Sequence, residues 1–101
     1  MRIYVVGTVM SISDPTQVKM PRGQEIPKAT ALVRTQDEAG DNFLAIDVFG
    51  QEKIQRLIEA KTSGLPQEMI VTIASRQWTK DDGRFGFLTY LNLKYLFGSA
   101  N

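Results

Sequence analysis

The chain has 101 residues, 43% of them hydrophobic and 23% charged, with no Cys, no His and a formal net charge of +1. That length suits one domain built on a single core, residues 1 to 101 with the core from about 2 to 97, and no stretch approaches the roughly 18 apolar residues that span a membrane as a helix. Without Cys or His there is no disulfide framework, no thiolate nucleophile, no Cys/His zinc site and no imidazole base.

In chain order, residues 2 to 12 alternate loosely as a strand. Their start, Met1-Arg2-Ile3-Tyr4-Val5-Val6-Gly7, has too short an apolar run for a signal peptide, so an intracellular, cytoplasmic location is expected. Residues 13 to 28 hold Asp14-Pro15, Pro21-Arg22-Gly23 and Pro27, which break regular structure and predict a long loop. "ATALVRTQ" (29 to 36) is a second strand, "DEAGDN" (37 to 42) a turn, and "FLAIDVF" (43 to 49) a third strand. From 51 to 61 the period changes: Ile54, Leu57 and Ile58 recur at helical spacing, with Gly50 before them and Thr62-Ser63-Gly64 as the stop. Strand character returns over 69 to 79 and about 84 to 97, joined by "KDDG", where Gly83 accepts the positive φ of a tight hairpin.

Three strands, a helix, then two strands is the element order of the oligonucleotide/oligosaccharide-binding (OB) fold. The expected class is therefore all-β: a five-stranded Greek-key barrel with one short helix between strands three and four. A small SH3-like barrel is the competing architecture, and the helix disfavours it. No Walker-type loop or dinucleotide glycine fingerprint is present, and "GRFG" (83 to 86) is too short and sits in the hairpin. No cofactor and no enzymatic activity are expected.

Charge is unevenly spread. Residues 1 to 36 carry five basic and two acidic groups, 37 to 68 three and seven, and 69 to 101 four and two. Two basic segments around an acidic one allow a local basic groove on a nearly neutral chain. Strand parity sorts the side chains further. In the third strand Leu44, Ile46 and Val48 form the inward set, which turns Phe43, Ala45, Asp47 and Phe49 outward. In the fourth, Val71 and Ile73 point inward, leaving Arg76, Trp78 and Lys80 as an outward cation, aromatic, cation row. Such a row suits a flexible polyanion bearing aromatic bases, because the cations meet phosphates while the indole stacks a base. The structural alternatives are Trp78 packed under its own hairpin and the two phenylalanines covered by the helix, a loop or another subunit. Asp47 between the phenylalanines repels phosphate unless paired, with Arg34 as the expected cross-strand partner. Asp81 and Asp82 serve the turn.

Four motifs, "VVG" (5 to 7), "DPTQVKMPRG" (14 to 23), "VFG" (48 to 50) and "RQWTKDDGR" (76 to 84), give a chain that resembles the bacterial or phage-type single-stranded DNA-binding proteins of the OB-fold class over residues 2 to 97. The resemblance implies base stacking by Trp78, Phe49 and Phe43. It also implies phosphate contacts by Arg34, Arg76, Lys80 and Arg84, with Lys19, Arg22 and Lys28 on a mobile first loop that closes over the strand. It implies single-stranded DNA as the partner, sequence-tolerant binding, self-association as a homotetramer or homodimer, replication proteins as further partners, a nucleoid-associated location, and roles in DNA replication, recombination or repair. The chain departs from the family in a longer segment between Gly7 and Asp14 and in lacking an aromatic around Arg34 to Gln36; with no linker or acidic tip after Phe97, either a trimmed domain or a specialised relative is expected. Rival functions are a primosome-type or other protein-interaction module, whose interface favours the same residue types, an RNA-binding OB domain, and a small enzyme.

Overall fold

The computed structural model describes residues 1–100. Its elements are β1 (Arg2–Ile12), β2 (Thr16–Lys19), β3 (Glu25–Asp37), β4 (Gly40–Phe49), α1 (Gln51–Ser63), β5 (Gln67–Thr79) and β6 (Phe85–Ser99). All strands hydrogen-bond in the order β1-β5-β6-β4-β3-β2, and an additional β1–β3 pairing closes five of them into a barrel. The architecture is that of the OB class, with the helix following the third barrel strand.

The five-strand expectation needs one correction. Residues 13 to 28 are not an irregular loop: β2 pairs antiparallel with the start of β3, from Thr16↔Lys28 to Lys19↔Glu25. Pro21 and Gly23 form the tip of that hairpin rather than interrupting it, with Gly23 N donating to the Met20 carbonyl at 2.8 Å. Pro27 fits because its ring removes only a donor; its carbonyl accepts from Gly50 N at 2.9 Å and so ties the hairpin to the entrance of α1.

Closure depends on β1 serving two neighbours. Residues Arg2 to Gly7 pair with β5, and Thr8 to Ile12 pair with β3. Gly7 stands at the exchange. A Cβ there would lie 2.5 Å from Val33 Cγ1 and 2.8 Å from the Arg34 carbonyl oxygen, so only a residue without a side chain lets β1 cross this close to β3.

The interior is filled by alternate residues, Val5 and Val9 of β1, Ala29, Ala31 and Val33 of β3, Ile46 and Val48 of β4, and Met69 and Val71 of β5, together with Leu93 and Leu96 of β6, where a register shift breaks the alternation. The helix adds Ile54, Leu57 and Ala60 on one stripe. Each large aliphatic side chain buried this way stabilises the barrel by about 1.5–3 kcal/mol. The helix ends as its sequence predicts, with Gly64 left-handed at φ 69° and its N–H donating to the Ala60 and Lys61 carbonyls.

Two hairpins project from this body. The radius of gyration is 15.1 Å, against about 13 Å for a compact chain of this length. The longer projection is the β5–β6 hairpin. Beyond Asn92 on β6 no pairing with β4 remains, since Asp47↔Asn92 is their single bridge, whereas β5 and β6 stay paired out to Thr79↔Phe85.

Candidate nucleic-acid interface

Inward alanines and valines on β3 force Lys28, Thr30, Leu32 and Arg34 to the outside, beside the outward residues of β4. The register sets Lys28 opposite Phe49, Thr30 opposite Asp47 and Arg34 opposite Phe43. Phe43 is 57% exposed, and neither the helix nor a loop covers it. Phe49 is half-buried, and the Lys28 ammonium stands 5.7 Å from its ring centroid.

Asp47 is neutralised, but not by Arg34. Its Oδ1 accepts from Thr30 Oγ1 at 3.1 Å and its Oδ2 lies 3.8 Å from Lys28 Nζ. Arg34 is four residues along β3 from Thr30, about 13 Å at the strand rise, and so out of reach. The carboxylate pairs with the lysine that lies over Phe49, and the pair leaves this part of the face without net negative charge.

Lys28, Asp47 and Phe49 form one wall of a concavity of about 320 Å³ whose other wall is Ala74 and Arg76 of β5 with Tyr90 and Asn92 of β6. The single Asp47↔Asn92 bridge joins the walls. The concavity thus brings Lys28, Phe49 and Arg76 together from three separate segments. Tyr90 and Asn92 belong to it although sequence reasoning passed them over. The turn at Asp82-Gly83 carried the signal: it fixes the hairpin register that sets Ala74 opposite Tyr90, Arg76 opposite Leu88 and Trp78 opposite Gly86.

Further out on the same strand, Trp78 is 37% exposed and lies over Gly86 on the partner strand, with Lys80 Nζ 5.7 Å from its ring. Trp78 thus packs against its own hairpin at Gly86 while remaining partly exposed. Arg76, Trp78 and Lys80 occupy the expected row. Arg84 does not join it freely, because its Nε lies 2.6 Å from Asp82 Oδ2 within the turn. Lys19 and Arg22 are exposed on the β2–β3 hairpin and stand outside the concavity, whereas Lys28 lies within β3 rather than on a loop.

Two other apolar features lie outside this concavity. Phe85 and Phe87 project from the opposite side of the β5–β6 hairpin, 62% and 63% exposed, with ring centroids 6.4 Å apart edge to face. On the outside of β1, β5 and β6, Tyr4, Ile70, Tyr95 and Phe97 surround a second concavity of about 490 Å³. There Tyr95 and Phe97 stack at 6.4 Å. The Tyr4 hydroxyl donates to the Glu68 carboxylate, and that bond, with some burial and the carboxylate's charge, raises the Tyr4 pKa above its ordinary value. Among the described residues no group of three or more acidic side chains is placed to hold a metal ion, and no helix is long and apolar enough to cross a membrane.

A β-barrel closed by β1–β3 pairing, with an aromatic and cationic outer face, defines the class as an OB-type barrel. No protein-family model and no curated protein matches the sequence. Among solved structures the fold is shared with the mitochondrial single-stranded DNA-binding protein Rim1 of S. cerevisiae. One structure of that protein is 20% identical with a TM-score of 0.65, and a selenomethionine-labelled one is 22% identical with a TM-score of 0.59. In both, the match covers 99% of this chain and 97% of the yeast chain.

Proposed function

We propose that this chain binds single-stranded DNA with little sequence preference and thereby protects single strands during replication, recombination or repair. The observation that carries the reading is the juxtaposition of Phe49, Lys28, Arg76 and Tyr90 around one concavity, continued outward by Trp78 and Lys80 and along the β3–β4 pair by Arg34 and Phe43. Planar rings offer π-faces to any base, and the cations beside them meet the backbone, so neither contact reads sequence. The yeast neighbours are described as single-stranded DNA-binding proteins, which agrees with this reading. The test is the affinity for labelled dT oligomers, RNA of the same length and duplex DNA. Tight, salt-sensitive binding of dT over duplex supports the proposal; binding of RNA alone reassigns the substrate, and binding of none of them refutes it.

The same reading includes self-association. Tyr4, Tyr95 and Phe97 are 57%, 49% and 59% exposed around a concavity that none of the proposed DNA-binding residues lines, and contiguous apolar surface of this kind marks an interaction site. A homodimer or homotetramer formed across this face would cover it. Light scattering of the wild type and of Phe97→Arg tests the assignment: a smaller particle for the variant supports it, and a monomeric wild type refutes it.

A further inference from the structure

The Phe85-Gly86-Phe87 stretch alternates across β6, so the two phenylalanines face one side of the hairpin and Gly86 faces the other, opposite Trp78. Gly86 is not a turn residue, and its backbone is not in the left-handed region reserved for glycine. Its lack of a side chain has a different cause. A Cβ at this position would lie 2.6 Å from Trp78 Cζ2, 2.7 Å from Cε2 and 2.8 Å from Nε1. The indole therefore lies against the bare backbone of Gly86 through its Nε1–Cε2–Cζ2 edge, which runs across both rings.

We propose that Gly86 is a positioning residue for nucleic-acid binding: it seats the Trp78 indole flat on β6, closing one π-face and leaving the other, over which the Lys80 ammonium lies in the free protein, to a single base. This inference rests on the proposed binding of single strands. Three groups act together. Gly86 sets the depth and tilt of the ring, β5 sets its place in the row with Arg76, and the Lys80 ammonium, which lies over the ring 5.7 Å from its centroid, moves aside to a phosphate as the base stacks. A methyl group at Gly86 cannot be accommodated by a strand shift alone without opening the Trp78↔Gly86 pair. The side chain can instead turn away about its own bonds, so the hairpin survives while the plate tilts. Such a glycine seat makes the stack one-sided: Trp78 takes one base rather than standing between two.

The experiment uses Gly86→Ala, Trp78→Ala and the double variant, each first compared with the wild type by circular dichroism and thermal melting. Without DNA, acrylamide quenching and the emission maximum of Trp78, the sole tryptophan, report its seating, independently of any binding. Gly86→Ala is expected to increase quenching and red-shift the emission. With a labelled dT oligomer read by anisotropy, Gly86→Ala is expected to weaken binding about fivefold or more, approaching the loss from Trp78→Ala, while the salt dependence stays at the wild-type slope because no cation is removed. In the Trp78→Ala background, Gly86→Ala is expected to cost nothing further. Unchanged emission and quenching in Gly86→Ala overturn the seating, and an equal loss with and without Trp78 overturns the positioning role. Failure of the wild type to bind dT, with the spectral change still present, instead refutes the binding reading and leaves the seat intact. If Gly86→Ala melts at a lower temperature, Gly86→Ser at the same position and the double variant separate loss of fold from loss of the plate, since a fold defect persists without Trp78.

Discussion

Arg76 and Arg84 lie eight residues apart on the two sides of one hairpin turn, yet their surroundings predict different contributions to DNA binding. Arg76 lines the concavity beside Phe49 and makes no ion pair among the described residues, whereas the Arg84 guanidinium is already held by Asp82 at 2.6 Å. Each cation that neutralises a phosphate of a single strand adds about 0.7 to the slope of log affinity against log salt. Seven candidate cations thus set an upper limit of about 5, and withdrawing the two already paired with aspartates, Arg84 and Lys28, lowers it to about 3.5. Arg76→Gln should reduce the slope by about 0.7, so that the affinity gap to the wild type narrows about fourfold over an eightfold rise in salt. Arg84→Gln should leave the slope within about 0.3 of the wild type, because a phosphate must replace Asp82 rather than a solvent counterion. Anisotropy titrations of a labelled dT oligomer at four or more salt concentrations measure both slopes. Equal reductions for the two variants, or none for Arg76→Gln, would refute the reasoning.

Three further outcomes follow from the same geometry. Asp47→Asn removes a negative charge from the binding face and frees Lys28 while keeping the Thr30 contact, so affinity for dT should rise severalfold at low salt; weaker binding would mean that Asp47 is needed to hold Lys28 in place. Gly7→Ala forces a Cβ to within 2.8 Å of the Arg34 carbonyl and should destabilise the barrel by about 1–3 kcal/mol, read as a lower urea midpoint or a melting temperature lower by about 4–8 °C per kcal/mol. The Tyr4 phenol is held neutral by its bond to Glu68, so whatever stability it contributes is complete below pH 10.0, its ordinary pKa, and is lost as pH rises through the higher folded value; in a spectrophotometric titration Glu68→Gln should bring one tyrosine back toward the ordinary value.

Much of this was legible in the sequence, because periodicity reports which side of an element is wet. The parity that turned Phe43, Phe49, Arg76 and Trp78 outward needed only the inward run Leu44, Ile46, Val48 and its counterpart Val71, Ile73, and the helix needed only Ile54, Leu57 and its glycine stop. Cross-strand distance was harder to read. Asp47 was assigned to Arg34 because both are outward and opposite in charge, but the pairing Asp37↔Gly40 at the turn fixes a register that puts Thr30 opposite Asp47 and Lys28 diagonal to it. The second strand of the first hairpin went unseen because Pro21, Gly23 and Pro27 signal interruption locally, while pairing with β3 is a tertiary event that lets them sit at a tip and beside a missing donor. Tyr90 and Gly86 escaped because parity was applied along β5 and not carried across the turn to β6. The concavity itself depends on β4 and β6 meeting at one bridge, which no local pattern encodes.

The central claim is that the open face of Trp78 stacks on a base of a single strand. Its most direct measurement is the emission of this sole tryptophan during titration with dT oligomers at low and high salt, paired with the affinity of Trp78→Ala. The account predicts quenching by dT that salt reverses, and an affinity about five- to a hundredfold weaker in Trp78→Ala. Unquenched emission with every single strand at low salt, or a Trp78→Ala variant that binds as tightly as the wild type, would contradict it.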